Sequence, residues 1–478
     1  MLPTAVLADD IVLTTLDGGI RVEGELLSYD GEFFRVETEE GPLTMDGGLV
    51  RCNGTGCPDA EAMIARIDLA GPADMVHRLM PALLEVFASE KGYDLHQRFN
   101  SDTSITWELQ DPNSSQLIAV VEGQVADDAA SMARLQSGEL DIALGRSEAD
   151  GVRQDVIALD ALVPIVAADN PRASVTLDQL AGLLNGDTKD WSRLGGDASE
   201  VVLHLPSGMD DVMQELHPSG QFAEATRHET PEALADAVAA NPAALGLVPY
   251  SMIGNAVPLI VTGACGLATP ATPETIRAED YPITQPLFLS RVGVRQPKVL
   301  REFMAFARST EVQPVIRATG LVDQSIGRIA FDRQGDRIAT AIATADANET
   351  RSAQVREMIG DLMTGERLTL TFRFRDGSSV LDPQSASNVH RLADAVSRGA
   401  FDDRELVFVG FSDGAGDEAD NLALSKRRAN SVRSAVAAHL PNARADLTIA
   451  AYGEAMPMAC DDTHWGRRIN RRVEVWLR

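Results

Sequence analysis

The stretch from Val407 to Gly416 reads VFVGFSDGAG: an apolar strand that stops at Ser412 and Asp413. Fifteen residues beyond Asp413 comes Arg428, inside NLALSKRRANSV. A strand ending in an aspartate puts that carboxylate at the rim of a sheet. A helix over about 421–439 starts at the same rim, with Arg428 about two turns into it. A carboxylate and a guanidinium so placed suit a zwitterion, because the first accepts from an ammonium and the second forks onto a carboxylate. Free amino-acid ends of a peptide crosslink have that form. Spacing alone leaves a second outcome open, an internal Asp–Arg ion pair.

A second group of residues lies at three strand-to-helix junctions: Gly71-Pro72-Ala73-Asp74, Gly145-Arg146-Ser147 and Pro206-Ser207-Gly208-Met209. Ligands of α/β sheets bind at such junctions, where backbone N–H groups point outward. Two of the three add a hydroxyl and one an arginine, so Arg146, Ser147, Ser207, Gly208 and Gly71 form a candidate anion cradle. Asp74, Asp210 and Asp211 lie close by and oppose a dianion unless an arginine offsets them. Ordinary turns and helix caps use the same residue types.

The elements that position these groups change along the chain. Residues 1–9 form a tail in which the apolar AVLA before Asp9-Asp10 reads as the end of a secretory signal. Residues 10–58 alternate apolar and polar, with Asp-Gly and Gly-Gly turns, which predicts a small antiparallel sheet or barrel of four or five strands. Its architecture resembles small Sm-like or SH3-like barrels. Residues 62–325 alternate strands (IARIDLAG, LIAVVEG, LDIALG, VIALDALVPIVA) with helices (ADMVHRLMPALLEVFASEKG, DAASMARLQSG, TLDQLAGLLNG, PEALADAVAANP). That alternation predicts parallel sheet covered by helices on both faces, with length enough for two lobes. Residues 326–366 are polar and helix-prone and are expected to be a partly helical linker. Residues 367–478 read as a compact α+β domain, βαβαβ then β.

Composition narrows the function classes. The chain has 478 residues and a net charge of −29. Residues 367–478 hold 16 basic and 15 acidic side chains, so the acidic excess lies in the remainder. A basic nucleic-acid footprint and a polybasic membrane patch are both absent. No run of eighteen apolar residues occurs, so no membrane-spanning helix is expected. Cys52 and Cys57 enclose NGTG, a loop that can close a disulfide, which suits an oxidising compartment; Cys265 and Cys460 lie far apart, and the sequence alone does not say whether they pair. Without CxxC or HExxH, and with eight scattered histidines, no metal or other cofactor is expected. No Ser-His-Asp or Cys-His grouping stands out, and the reading is non-enzymatic.

Several separated motifs then agree in order and spacing. Ser412-Asp413, Asn421 with Leu424-Ser425, Arg428-Ala429, Tyr452-Gly453-Glu454 and the run Asn470 to Glu474 make residues 367–478 resemble the OmpA-like C-terminal domain. The resemblance implies non-covalent binding of peptidoglycan, with Asp413 and Arg428 on the diaminopimelate of the stem peptide and with Asn421, Arg471 and Ser412 assisting. Phe411 departs from the frequent histidine, but its side chain alternates away from the aspartate. Residues 62–325, through LMPALLEVFASEKG, LQSGELDIALGRS, NPAALGLVPYS and EVQPVIRATGLVD, resemble the phosphate-type periplasmic substrate-binding proteins of ABC transport. That resemblance implies a two-lobed α/β fold, a small anion such as phosphate, and an ABC permease as partner. The first loop has Pro72 and Ala73 where a serine is expected, and Met209 replaces a threonine. The expected whole is a periplasmic protein associated with the cell wall or outer membrane; the alternative is an envelope-organising scaffold whose middle domain binds protein.

Overall fold

The structure, a computed structural model, describes residues 10–29, 31–58, 64–207, 222–263, 267–293, 296–345, 349–375, 378, 380–440, 444–461 and 464–478. The chain divides into two compact units, Met1–Gln154 with Phe288–Thr319, and Asp155–Leu287 with Gly320–Arg478.

The first unit opens with a five-stranded antiparallel sheet. Its strands, Asp10–Thr15, Arg21–Tyr29, Phe33–Thr38, Gly41–Asp46 and Val50–Asn53, lie in the order fourth, third, second, first, fifth. Alternation sends Ile11, Leu13, Phe34, Val36 and Val50 to one buried face. Cys52 and Cys57 form a disulfide with Cα atoms 5.8 Å apart, as the short NGTG loop anticipates.

The rest of the first unit is α/β. Strand Ala65–Gly71 pairs in parallel with both Leu117–Val125 and Ile142–Gly145, and an antiparallel ribbon, Asp94–Ser101 and Ser104–Gln110, extends the sheet beyond Leu117–Val125. The first helical stretch begins as a π-turn over Met75–Leu79 and continues as an α-helix over Met80–Lys91. Pro81 stands at the change: it has no N–H for the preceding turn, which widens where that bond is missing. Phe87 of this helix meets Phe303 edge-on, ring centroids 5.4 Å apart.

The second unit contains parallel strands Val202–Pro206, Thr226–His228 and Ala244–Pro249, the last paired antiparallel with Arg153–Val166. It also contains the C-terminal sheet, in the order Arg328–Ala330, Glu366–Arg373, Arg472–Leu477, Glu405–Gly410, Asp446–Ala451. Helices Pro383–Ser397 and Glu418–Ala437 cover one face of it, through Val389, Leu392, Val396, Ala429, Val432 and Val436. Residues 326–366, expected as a linker, are built into this domain instead. Arg328–Ala330 adds an edge strand, and helices Gly335–Ala345 and Glu349–Leu362 bury Ala341, Ala345, Val355, Met358 and Leu362 against Val407, Val409, Phe411 and Trp476 on the other face. Few large apolar residues carry that packing, so the segment reads as polar.

A layer of buried charge binds this sheet to the remainder of its unit. Glu474 is fully buried, accepts from Arg472 Nε at 2.8 Å and from Arg337, and lies 3.2 Å from Arg367 Nε as an ion pair. Arg367 also donates to both carboxylate oxygens of Asp280, at 2.5 and 2.8 Å, while Arg373 pairs with Glu279. Thr371 Oγ1 donates to the Ala278 carbonyl at 2.6 Å. Three guanidinium groups hold the Glu474 carboxyl far below the usual range, against burial that would raise it.

Candidate ligand sites

The C-terminal site is built where strand Glu405–Gly410 and helix Glu418–Ala437 come closest. A Cβ at Gly410 would lie 2.1 Å from the Ser425 carbonyl oxygen, so only glycine lets the strand end pass under the helix. The chain then leaves the sheet through Ser412, whose N–H donates to the Gly453 carbonyl at 2.9 Å. The helix begins at Asp417, which accepts from the N–H groups of Ala419 and Asp420.

Asp413 is 8% exposed and is paired with Arg471, Nη1 to Oδ2 2.8 Å. It is not paired with Arg428. The Arg428 guanidinium is half-buried over the Phe374 ring, 5.3 Å from its centroid, and its Nη1 is buried without a hydrogen-bond partner. Burial and the charge of Arg471 lower its affinity for a proton, and Asp413 works in the opposite sense. Ser412 Oγ is likewise buried with no partner. Two donors are thus left incomplete beside a carboxylate.

Asn421 lies at the start of helix Glu418–Ala437 and is buried. Its Nδ2 donates to the Ala415 carbonyl at 3.0 Å and to Glu454 Oε1 at 2.8 Å, so it braces the loop that carries Asp413. Gly414 N–H donates to Asp461 Oδ2 at 2.7 Å on the loop's other side. Arg472 faces away from the site, in the buried charge layer and 4.3 Å from the Phe411 ring centroid.

The residues expected to cradle an anion have protein partners. In the first unit, Asp128 Oδ2 accepts from the Arg146 N–H at 2.5 Å, the Ser147 N–H at 3.2 Å and the Ser147 hydroxyl at 3.3 Å. The Arg146 guanidinium, 8% exposed, lies 2.5 Å from Asp74 Oδ2. Gly71 serves close packing, since a Cβ there would stand 2.4 Å from Leu144 Cβ. In the second unit, Ser207 donates its N–H to the His228 carbonyl at 2.9 Å and its hydroxyl to Glu229 Oε1 at 3.3 Å. Gly208 lies outside the described residues. His204 Nδ1 is 2.8 Å from His228 Nε2, and burial, then His228, lower the His204 pKa.

Sequence reasoning missed Asp128, Phe374 and the pairing of Arg471 with Asp413. One signal was available for the first. Asp127 and Asp128 stand together before helix Asp128–Ser137, and Asp127 alone caps it, accepting from the Ala130 N–H. The second aspartate is then free to reach elsewhere.

Comparison with known proteins places both regions. Residues 373–471 match the OmpA family, and residues 88–311 match a PBP superfamily domain. The chain therefore joins a domain of the PBP superfamily to a C-terminal OmpA domain. Over 109 residues it is 35% identical to outer membrane porin F of Pseudomonas fluorescens, covering 23% of this chain and 32% of the porin. It thus spans about a third of the length of the porins it matches. Over 239 residues it is 21% identical to the phosphate-binding protein PstS of Borreliella burgdorferi, covering 48% of this chain and 82% of that protein. A phosphate-bound putative phosphate ABC transporter substrate-binding protein from Clostridium perfringens aligns with 54% of this chain and 99% of its own, at 19% identity and a TM-score of 0.43.

Proposed function

We propose that this chain is a non-enzymatic envelope protein of the periplasm, held to peptidoglycan by its C-terminal domain. Asp413, whose Oδ2 is held by Arg471, takes the ammonium of a diaminopimelate side chain, and Arg428 takes the carboxylate. The observation that carries this reading is Arg428 Nη1: a buried cationic donor without a partner, next to a carboxylate that another arginine holds. An unmet buried donor is costly, and a ligand carboxylate supplies what is missing. Ser412 Oγ offers a further donor to the same ligand. Co-sedimentation of the full chain with diaminopimelate-type peptidoglycan, and its loss in Asp413→Ala and Arg428→Ala, tests the assignment.

Two roles compete for the middle domain. In one it binds a small anion, phosphate among them, and presents it to an ABC permease. In the other it is a scaffold that binds protein at the cell wall. One observation favours the scaffold: the backbone N–H groups of Arg146 and Ser147, the Ser147 hydroxyl and Arg146 Nη2 are already engaged by Asp128 and Asp74. A thermal-shift screen with phosphate and sulfate separates the two, since a ligand that binds only the folded state raises the melting temperature by mass action. The scaffold reading expects no shift for the parent chain.

A further inference from the structure

The donors gathered at the end of strand Ile142–Gly145 form a recognisable set. Two successive backbone N–H groups and one hydroxyl converge on a single oxygen, Asp128 Oδ2, at 2.5, 3.2 and 3.3 Å. The guanidinium of the same Arg146 is nearly buried and lies 2.5 Å from Asp74 Oδ2. Successive N–H groups, a hydroxyl and an arginine are what a tetrahedral oxyanion needs. The Asp128 carboxyl also packs directly on Gly145, where a Cβ would come within 3.0 Å of its carboxyl carbon. The acid fits this seat as a ligand would.

We infer that Asp128 is a built-in anion that occupies an oxyanion seat in this unit and excludes phosphate-class ligands from it. The charges give the same answer. Asp128 and Asp74 present carboxylates to the N–H and the guanidinium of Arg146, so a dianion arriving there meets two like charges as well as an occupied donor set. Shortening Asp128 frees three donors. Neutralising Asp74 in addition removes a second negative charge beside Arg146. Asp128 is thereby the residue that determines what the seat accepts. The inference rests on the scaffold reading of the middle domain and does not involve attachment to the wall.

Calorimetric titration of the full chain with inorganic phosphate tests it. Asp128→Ser is expected to bind phosphate at least about tenfold more tightly than the parent. Asp128→Ser with Asp74→Asn is expected to bind more tightly still, and adding Arg146→Ala to Asp128→Ser is expected to abolish the gain. Asp128→Asn keeps the shape and one acceptor, and serves if the serine variant loses its fold; it too should bind more tightly than the parent. A folded variant lacking the Asp128 charge with no gain in phosphate affinity overturns the inference, whatever the parent does. Phosphate binding by the parent chain overturns the scaffold reading instead, so the two failures are distinct.

Discussion

Asp413 is paired with Arg471 across 2.8 Å, and Arg428, fifteen residues further along the chain, pairs with no carboxylate among the described residues. The two cations beside one acid therefore differ in kind. Arg471 holds Asp413 in place, while Arg428 rests on Phe374 with a donor to spare. That asymmetry shapes the predictions.

The composition of the stem peptide should matter. Diaminopimelate carries an ammonium and a carboxylate on its outer carbon, whereas lysine in the same position carries only the ammonium. Sedimentation with lysine-type wall should be weaker by the worth of one charge-assisted contact, about 1.5–3 kcal/mol. The deficit should vanish in Arg428→Ala, which has nothing to offer the carboxylate.

Arg471→Ala removes the partner of a carboxylate that is largely withdrawn from water. Urea unfolding should show a loss of about 1–3 kcal/mol. Arg471→Lys should recover part of it, because a point charge replaces the charge but not the planar fork.

Glu474→Gln leaves three guanidinium groups, Arg337, Arg367 and Arg472, without the carboxylate they share. Removing one member of a buried ionic cluster costs about 3–5 kcal/mol, because, among the described residues, Arg337 and Arg472 stay buried without a carboxylate while Arg367 keeps only Asp280. Urea unfolding followed by circular dichroism measures the loss. It should exceed that of Arg471→Ala.

Gly410→Ala should cost about 3 kcal/mol or more, since the added carbon meets a backbone carbonyl at 2.1 Å that cannot move without shifting the helix. Thermal unfolding monitored by circular dichroism reads the effect.

The His204–His228 pair makes stability depend on pH. At 2.8 Å one ring nitrogen must donate and the other accept, so the two rings cannot both be protonated. His204 has a folded-state pKa below its unfolded value near 6.5. Its contribution is therefore complete above about pH 6.5 and is lost as pH falls through the lower folded value. The melting temperature should hold between pH 8 and 7 and fall towards pH 5, and His204→Gln should flatten that decline.

Much of this was legible in the residues. The turn pairs Asp17-Gly18 and Asp46-Gly47 announced the small sheet, and the short loop between Cys52 and Cys57 announced their bond. The strand ending at Asp413 and the helix carrying Arg428 could be placed because each has its own period and its own stop. Partner choice was not legible. Asp413 and Arg471 are 58 positions apart, and Arg146 and Asp74 are 72 apart, so which charges meet is fixed by sheet order rather than by local spacing. The helical character of 326–366 was legible, but the packing of helix Gly335–Ala345 was not, because Ala341 and Ala345 carry it and an alanine stripe resembles a solvated helix.

The central claim, that Asp413 and Arg428 grip a diaminopimelate end, is met most directly by co-sedimentation of the full chain with purified diaminopimelate-type peptidoglycan. The parent should pellet with the wall. Asp413→Ala and Arg428→Ala should each remain in the supernatant with unchanged circular dichroism, a loss of about 2–5 kcal/mol in binding. Two folded variants that pellet like the parent would contradict the account.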